Sequence, residues 1–281
     1  MIYSAQKGAN NMADRCDDPL FGEVPERVPL SNAPLVRVLG QVKFPRIAKI
    51  SEETYIADFQ EAIRGEYPHF QHDMIQGLDI VLVGNELKPR QLTTFVWRFF
   101  DASRALRVSL GPDAITLETG KYESRNDFLA RFEFILEKLF ETIRPSLVER
   151  VGFRYVDRLQ ASDDLETLPE LVHPELLNVL QSGLVQHIDI SMTEITGTTK
   201  EGKIIARYGL APPQYSHDPE MAPPVSEKSW VLDVDSYSTN CAGQSFDTQM
   251  LCSELDNVAA RAYAFFRWSV TEKFLERFGA K

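Results

Sequence analysis

Apolar residues begin to recur with a structural period at Leu35, and Leu35–Phe44 has the composition of a strand that Pro45 ends. Ser51–Arg64 predicts a helix, because Tyr55, Ile56, Phe59 and Ile63 fall on one face before Gly65 and Pro68. Strand patterns follow at Leu78–Val83, Thr93–Phe100, Ala105–Leu110 and Ala114–Glu118. Gly84-Asn85 interrupts the series, and Gly111-Pro112-Asp113 forms a turn. Ser124 with Asp127 is a helix-start signature. The stripe Phe128, Phe132, Ile135, Leu136, Leu139, Phe140 carries that helix to Ile143, with Pro145 as its stop.

The second half repeats the order. Val148–Gln160 predicts a strand with Val151, Phe153 and Tyr155 on one face and Arg150, Arg154 and Arg158 on the other. Leu165–Leu180 predicts short helical pieces broken by Pro169 and Pro174. Leu184–Thr196, Lys203–Leu210 and Ser229–Tyr237 read as strands, and Ser245–Phe278 as one long helix. Between the last two strands, residues 211–228 hold five prolines and predict an excursion outside the sheet that could order on a partner. The fold class is therefore α+β. It has two pseudo-repeated halves of the form β-α-β(3–4)-α, with mostly antiparallel sheets covered by helices. The expected divisions are a disordered leader over residues 1–33, a first half over 34–146 and a second over 147–281. Met1–Asn11 belong to an added leader or an upstream start if Met12 is the initiator.

Composition narrows the function. With 30 Lys+Arg against 41 Asp+Glu, the net charge of −11 disfavours a nucleic-acid backbone as partner. No apolar run reaches the ~18 residues of a membrane span, and no secretory leader stands at the N-terminus, so a cytoplasmic protein with reduced thiols is expected. Three cysteines without a CxxC pair exclude a disulfide scaffold.

Phosphate-loop, dinucleotide-loop, zinc-protease and nucleophile-elbow motifs are all missing, which favours a non-catalytic role without metal or cofactor. His69 and His72 stand three apart beside Asp73, as a metal pair or, more simply, as part of a polar loop. Cys252 reads as a small apolar helix residue.

Two constellations remain. Arg154, Asp157 and Arg158 lie in Val-Gly-Phe-Arg-Tyr-Val-Asp-Arg, either as a partner- or anion-binding face or as a solvent-facing ladder. Asp233 and Asp235 lie two apart in Leu-Asp-Val-Asp, as a carboxylate pair or a polar sheet face. Arg37, Lys43 and Arg46 add basic charge that would join Arg154 if their strands were neighbours.

These segments, with Val-Lys-Phe-Pro-Arg-Ile at the first strand, Phe59-Gln60 and Tyr67-Pro68 around the first helix, and a long aromatic last helix, resemble a family. It is a sporadically distributed, functionally uncharacterised family of bacterial proteins, and the likeness spans about residues 34–278. This chain departs from the family's pattern in the last helix, where Asp256 and Asn257 stand at a place that the family often fills with His. The resemblance implies mobile loci, such as phage-defence or toxin–antitoxin genes, and supplies no reaction.

The resulting expectation is a non-catalytic interaction protein, a sensor, antitoxin-like or accessory subunit, whose partner is encoded by a neighbouring gene. The alternative is an enzyme or binder for a phosphorylated or anionic small molecule, using Arg46, Arg154, Arg158, Asp233 and Asp235. On the last helix Tyr263, Phe265 and Trp268 widen the apolar face, either as a homodimer or partner surface or as packing within the chain.

Overall fold

Alternating patterns in nine segments build a single antiparallel sheet, which a computed structural model describes for residues 17–83 and 86–280. For residues 75–83 and 86–94 it describes the backbone alone. Met1–Asn11, Met12, Cys16 and Gly84-Asn85 lie outside the described residues.

The strands are β1 (Leu35–Lys43), β2 (His69–Val83), β3 (Glu86–Phe100), β4 (Leu106–Gly111), β5 (Ala114–Thr119), β6 (Arg150–Leu159), β7 (Ser191–Thr198), β8 (Lys203–Ala211) and β9 (Ser229–Ser238). The helices are α1 (Glu53–Ile63), α2 (Arg125–Thr142), the short α3 (Ser162–Glu166), α4 (Leu168–Leu171) and α5 (Pro174–Leu177), then α6 (Thr248–Ser269) and α7 (Glu272–Arg277). Spatial order is β2-β3-β4-β5-β1-β6-β9-β8-β7, so β1 and β6 meet at the centre.

Long helices cover one face. α2 packs on α6 and on α1, and α6 lies across β6 and β9. The Ser124 hydroxyl accepts from the Asp127 N–H at 3.1 Å and starts α2 as its sequence predicts. Phe128, Phe132, Ile135, Leu136 and Leu139 then enter the core, whereas Phe140 stays 47% exposed and stacks on Phe246. Gly40 of β1 makes room for this packing. A Cβ there would come within 2.9 Å of the Phe132 ring and 3.0 Å of the Phe128 ring.

Several elements differ from the sequence reading. Tyr67-Pro68 is followed at once by strand, so His69 and His72 fall on β2 instead of in a loop. An odd spacing sends them to opposite faces, which removes the metal pair. β2 and β3 pair over fifteen residues each, but β4 joins β3 only from Trp97 to Phe100. Pro89 is tolerated in β3 because that stretch has no second neighbour among the described residues to receive an N–H. Leu184–Thr196 divides into a short 3₁₀ turn at Val185–His187 and β7.

The expected single C-terminal helix is two. Val270 is extended and bridges Val172, and the Thr271 hydroxyl restarts the helix by accepting from the Phe274 N–H. Residues 17–33 of the expected leader lie along α6. Buried Arg261 bonds Glu201 and the Pro19 and Gly22 carbonyls, and the Tyr263 hydroxyl accepts from the Val28 N–H. Among the described residues, no helix is long and apolar enough to cross a membrane.

Candidate functional site

Opposite the helices, the second face of the sheet is charged. Register places Arg154, Leu39, Glu118 and Arg107 in one row across β6, β1, β5 and β4. Val156, Asp233, Arg207 and Glu194 form the next row across β6, β9, β8 and β7. The apolar partners of these strands point to the helices, so the polar positions of the alternation necessarily gather here.

Residues 212–225 fold over this face as a closed strap. The Gln214 N–H donates to the Val225 carbonyl at 2.7 Å and clasps its two ends, the geometry of an Ω-loop. Inside it the Ala222 N–H donates to the Asp218 carbonyl, and the Asp218 N–H to the Ser216 hydroxyl. Met221 and Ala222 are buried against Val156 and Val231, with Leu39 at the margin.

Charge fastens the strap on either side of this contact. Arg154 grips Asp233 with both forks, Nε to Oδ1 at 2.7 Å and Nη2 to Oδ2 at 2.6 Å, and its Nη1 donates to Asp218 at 2.8 Å. His217 Nε2 donates to Asp233 Oδ2 at 2.7 Å, and Arg207 stands 3.8 Å from the same oxygen. Further along, Glu220 Oε1 accepts from Arg98 at 2.8 Å and from Arg107 at 2.9 Å. Arg158 donates to the Pro223 carbonyl.

The electrostatics follow from these partners. Burial alone would push the Asp233 carboxyl up, but bonds from Arg154 and His217 outweigh it and hold the group below the ordinary carboxylate range. Burial depresses the Arg154 guanidinium, and its two aspartates reverse this and raise it. Asp235 keeps a raised carboxyl because its burial exceeds the help from Arg150.

Of the sequence-predicted set, Arg154, Asp233 and Arg158 come together under the strap. Asp235 is on the same face but is taken by Arg150 at 3.1 Å, so the two aspartates are not a pair poised for one cation. Arg46 is outside the cluster. It is exposed, three residues beyond Lys43, which pairs with Arg150, itself ~13 Å along the strand from Arg154. Asp157 is the clearest departure. It points to the helix side, 6% exposed, and burial with the nearby Asp233 charge raises its carboxyl to about 7. It therefore cannot pair with Arg154 and Arg158 on the other face. Arg37 joins the face through Glu118 of β5, the strand that pairs with β1 on its other side, at 3.0 Å.

The expected interface on α6 is largely spent within the chain. Phe265 is 2% exposed in the core, Tyr263 is half-buried under residues 26–28, and Trp268 is half-buried against Phe265. Burial raises both described thiols, that of Cys252 to about 12, which suits packing rather than nucleophilic work.

His217, Asp218 and Glu220 were missed because a proline-rich segment has no period to place them. Arg98, Arg107 and Glu118 were visible as the polar members of strand alternations and carried no motif. Two cavities, of about 400 Å³ beside Tyr67 and Asp127 and about 280 Å³ beside Leu168 and Leu210, lie away from the charged face. No protein-family model matches the chain, and no curated protein matches it.

Proposed function

We propose that the protein is a non-catalytic interaction protein whose charged sheet face binds an acidic segment of a protein partner. The strap is then the resident occupant of that site. One observation carries the reading: the face already holds Asp218, Glu220 and Met221 in cis, two carboxylates on three arginines and one apolar side chain in a small apolar seat. A partner segment with the same acidic–acidic–apolar order would meet the same donors in the same places. The clasp at Gln214 and Val225 lets the strap lift as a unit without disturbing β8 or β9.

The partner is the product of a neighbouring gene, and the setting is the cytoplasm of a bacterium carrying a defence or toxin–antitoxin locus. The two halves also fit a duplication. Running outward from the β1–β6 junction, the strands read β1-β5-β4-β3-β2 and β6-β9-β8-β7, which supports the pseudo-repeat.

Co-expression with the adjacent gene product tests the reading. Asp218→Asn with Glu220→Gln should weaken the strap and tighten the complex, and Arg98→Met should weaken the complex. A complex indifferent to both changes, or no complex at all, overturns it.

A further inference from the structure

The three guanidinium groups at the far end of the strap are not fully used by the carboxylates that face them. Arg37 reaches Glu118 Oε1 at 3.0 Å, and Arg107 reaches Glu118 Oε2 at 2.7 Å. The same Nη2 of Arg107 must also serve Glu220. Arg98 turns its Nε toward Asp73 at 2.8 Å and its Nη2 to Glu220. The Nε groups of Arg37 and Arg107 are buried and have no acceptor among the described residues. Buried donors left without acceptors are costly, so such a site favours a ligand that brings more oxygens.

Glu118 is 3% exposed and belongs to the sheet, whereas Glu220 is 54% exposed and belongs to the strap. Glu220 also offers both arginines one and the same oxygen. Withdrawing it would leave three guanidinium groups facing Glu118 and Asp73, a net positive seat.

From this we infer that Arg37, Arg98 and Arg107 form a binding site for a phosphoryl group, and that Glu220 occupies it as a displaceable stand-in. A phosphoryl group brings three acceptor oxygens and more charge than a carboxylate, and the planar fork of arginine matches it. The inference rests on the reading of the strap as a movable occupant. Occupation of the site would displace the Glu220 end of the strap and take the Arg98 and Arg107 donors that an acidic partner segment would use, so a phosphoryl ligand would compete with partner binding.

Titration calorimetry of the full chain with inorganic phosphate, against chloride at matched ionic strength, reads the site directly. A parallel titration with O-phosphoserine distinguishes a free ion from an attached phosphoryl group, and binding of either supports the inference. Glu220→Gln should bind about tenfold tighter than the parent, because the competing carboxylate is gone, and Arg107→Met should bind at least tenfold more weakly. Should Arg107→Met not fold, Arg98→Met replaces it with the same expectation. Parent-like affinity in Glu220→Gln, or in the folded arginine variant, would overturn the site. Phosphate binding with no effect on the neighbour-gene complex leaves this site standing and counts against the partner reading. A complex that responds to the strap variants without phosphate binding does the reverse.

Discussion

Replacing Arg154 by Met removes the guanidinium and keeps most of the aliphatic stem. Three charge-assisted hydrogen bonds go with it, two to Asp233 and one to Asp218. Hydrogen bonds to charged groups are worth ~1.5–3 kcal/mol each, but the dominant loss is the carboxylate left behind. Asp233 is fully buried and, among the described residues, would keep only His217 and an arginine 3.8 Å away. Stranding one member of a buried pair costs ~3–5 kcal/mol, and that is the expected loss in urea unfolding at pH 7.

The double variant Arg154→Met with Asp233→Leu removes the stranded charge and should recover most of it, ending within ~2 kcal/mol of the parent. A loss under ~1 kcal/mol in the single variant, or a double variant no better than the single, would refute the view that this pair is a buried, mutually dependent unit.

Asp157 and Asp233 should respond to pH in opposite directions. A folded carboxyl at about 7 against 3.8 unfolded disfavours the fold increasingly from pH 3.8 to 7, with a ceiling of about 4 kcal/mol. Asp157→Asn should therefore gain thermal stability over the parent through that window and hold a constant gain above it; equal gains at pH 4 and pH 8 would contradict this. Asp233 is depressed, so its stabilisation is fully present above 3.8 and is lost as the pH falls below it. The deficit of Asp233→Asn should shrink only in that acid range, as followed by circular dichroism. Met221→Ala should loosen the strap by ~2–4 kcal/mol and speed limited proteolysis within residues 214–225, leaving the sheet protected. Arg261→Ala should release residues 17–33 to protease at a cost of about 3 kcal/mol, because Glu201 and two carbonyls lose the buried guanidinium that bonds them.

Periodicity made the fold legible and left the site half hidden. The order of strands and long helices, the Ser124 cap and the opposed faces of β6 all follow from spacing alone. Strand ends at β2 and β3 did not, because glycine and proline mark breaks in pattern, and this strand pair tolerates both where it has no second neighbour among the described residues. Val270-Thr271 hid the helix break, since Val270 continues the apolar spacing even as its backbone turns extended to meet Val172. In the site, Arg154 and Asp233 were legible as polar residues on strands whose other face is apolar. Asp157 was misplaced because it sits next to Arg158 in sequence, and neighbours on a strand face opposite ways. The strap's His217, Asp218 and Glu220 meet their partners only through tertiary folding, which no local pattern records.

Hydrogen exchange across residues 214–225 of the full chain, alone and in complex with the neighbouring gene product, tests the central claim most directly. If the strap is the resident occupant of the partner site, its amides from Ser216 to Ala222 should exchange faster in the complex as they leave the sheet. Unchanged or slower exchange there would show the partner binding elsewhere or on top of a closed strap, and would contradict the account.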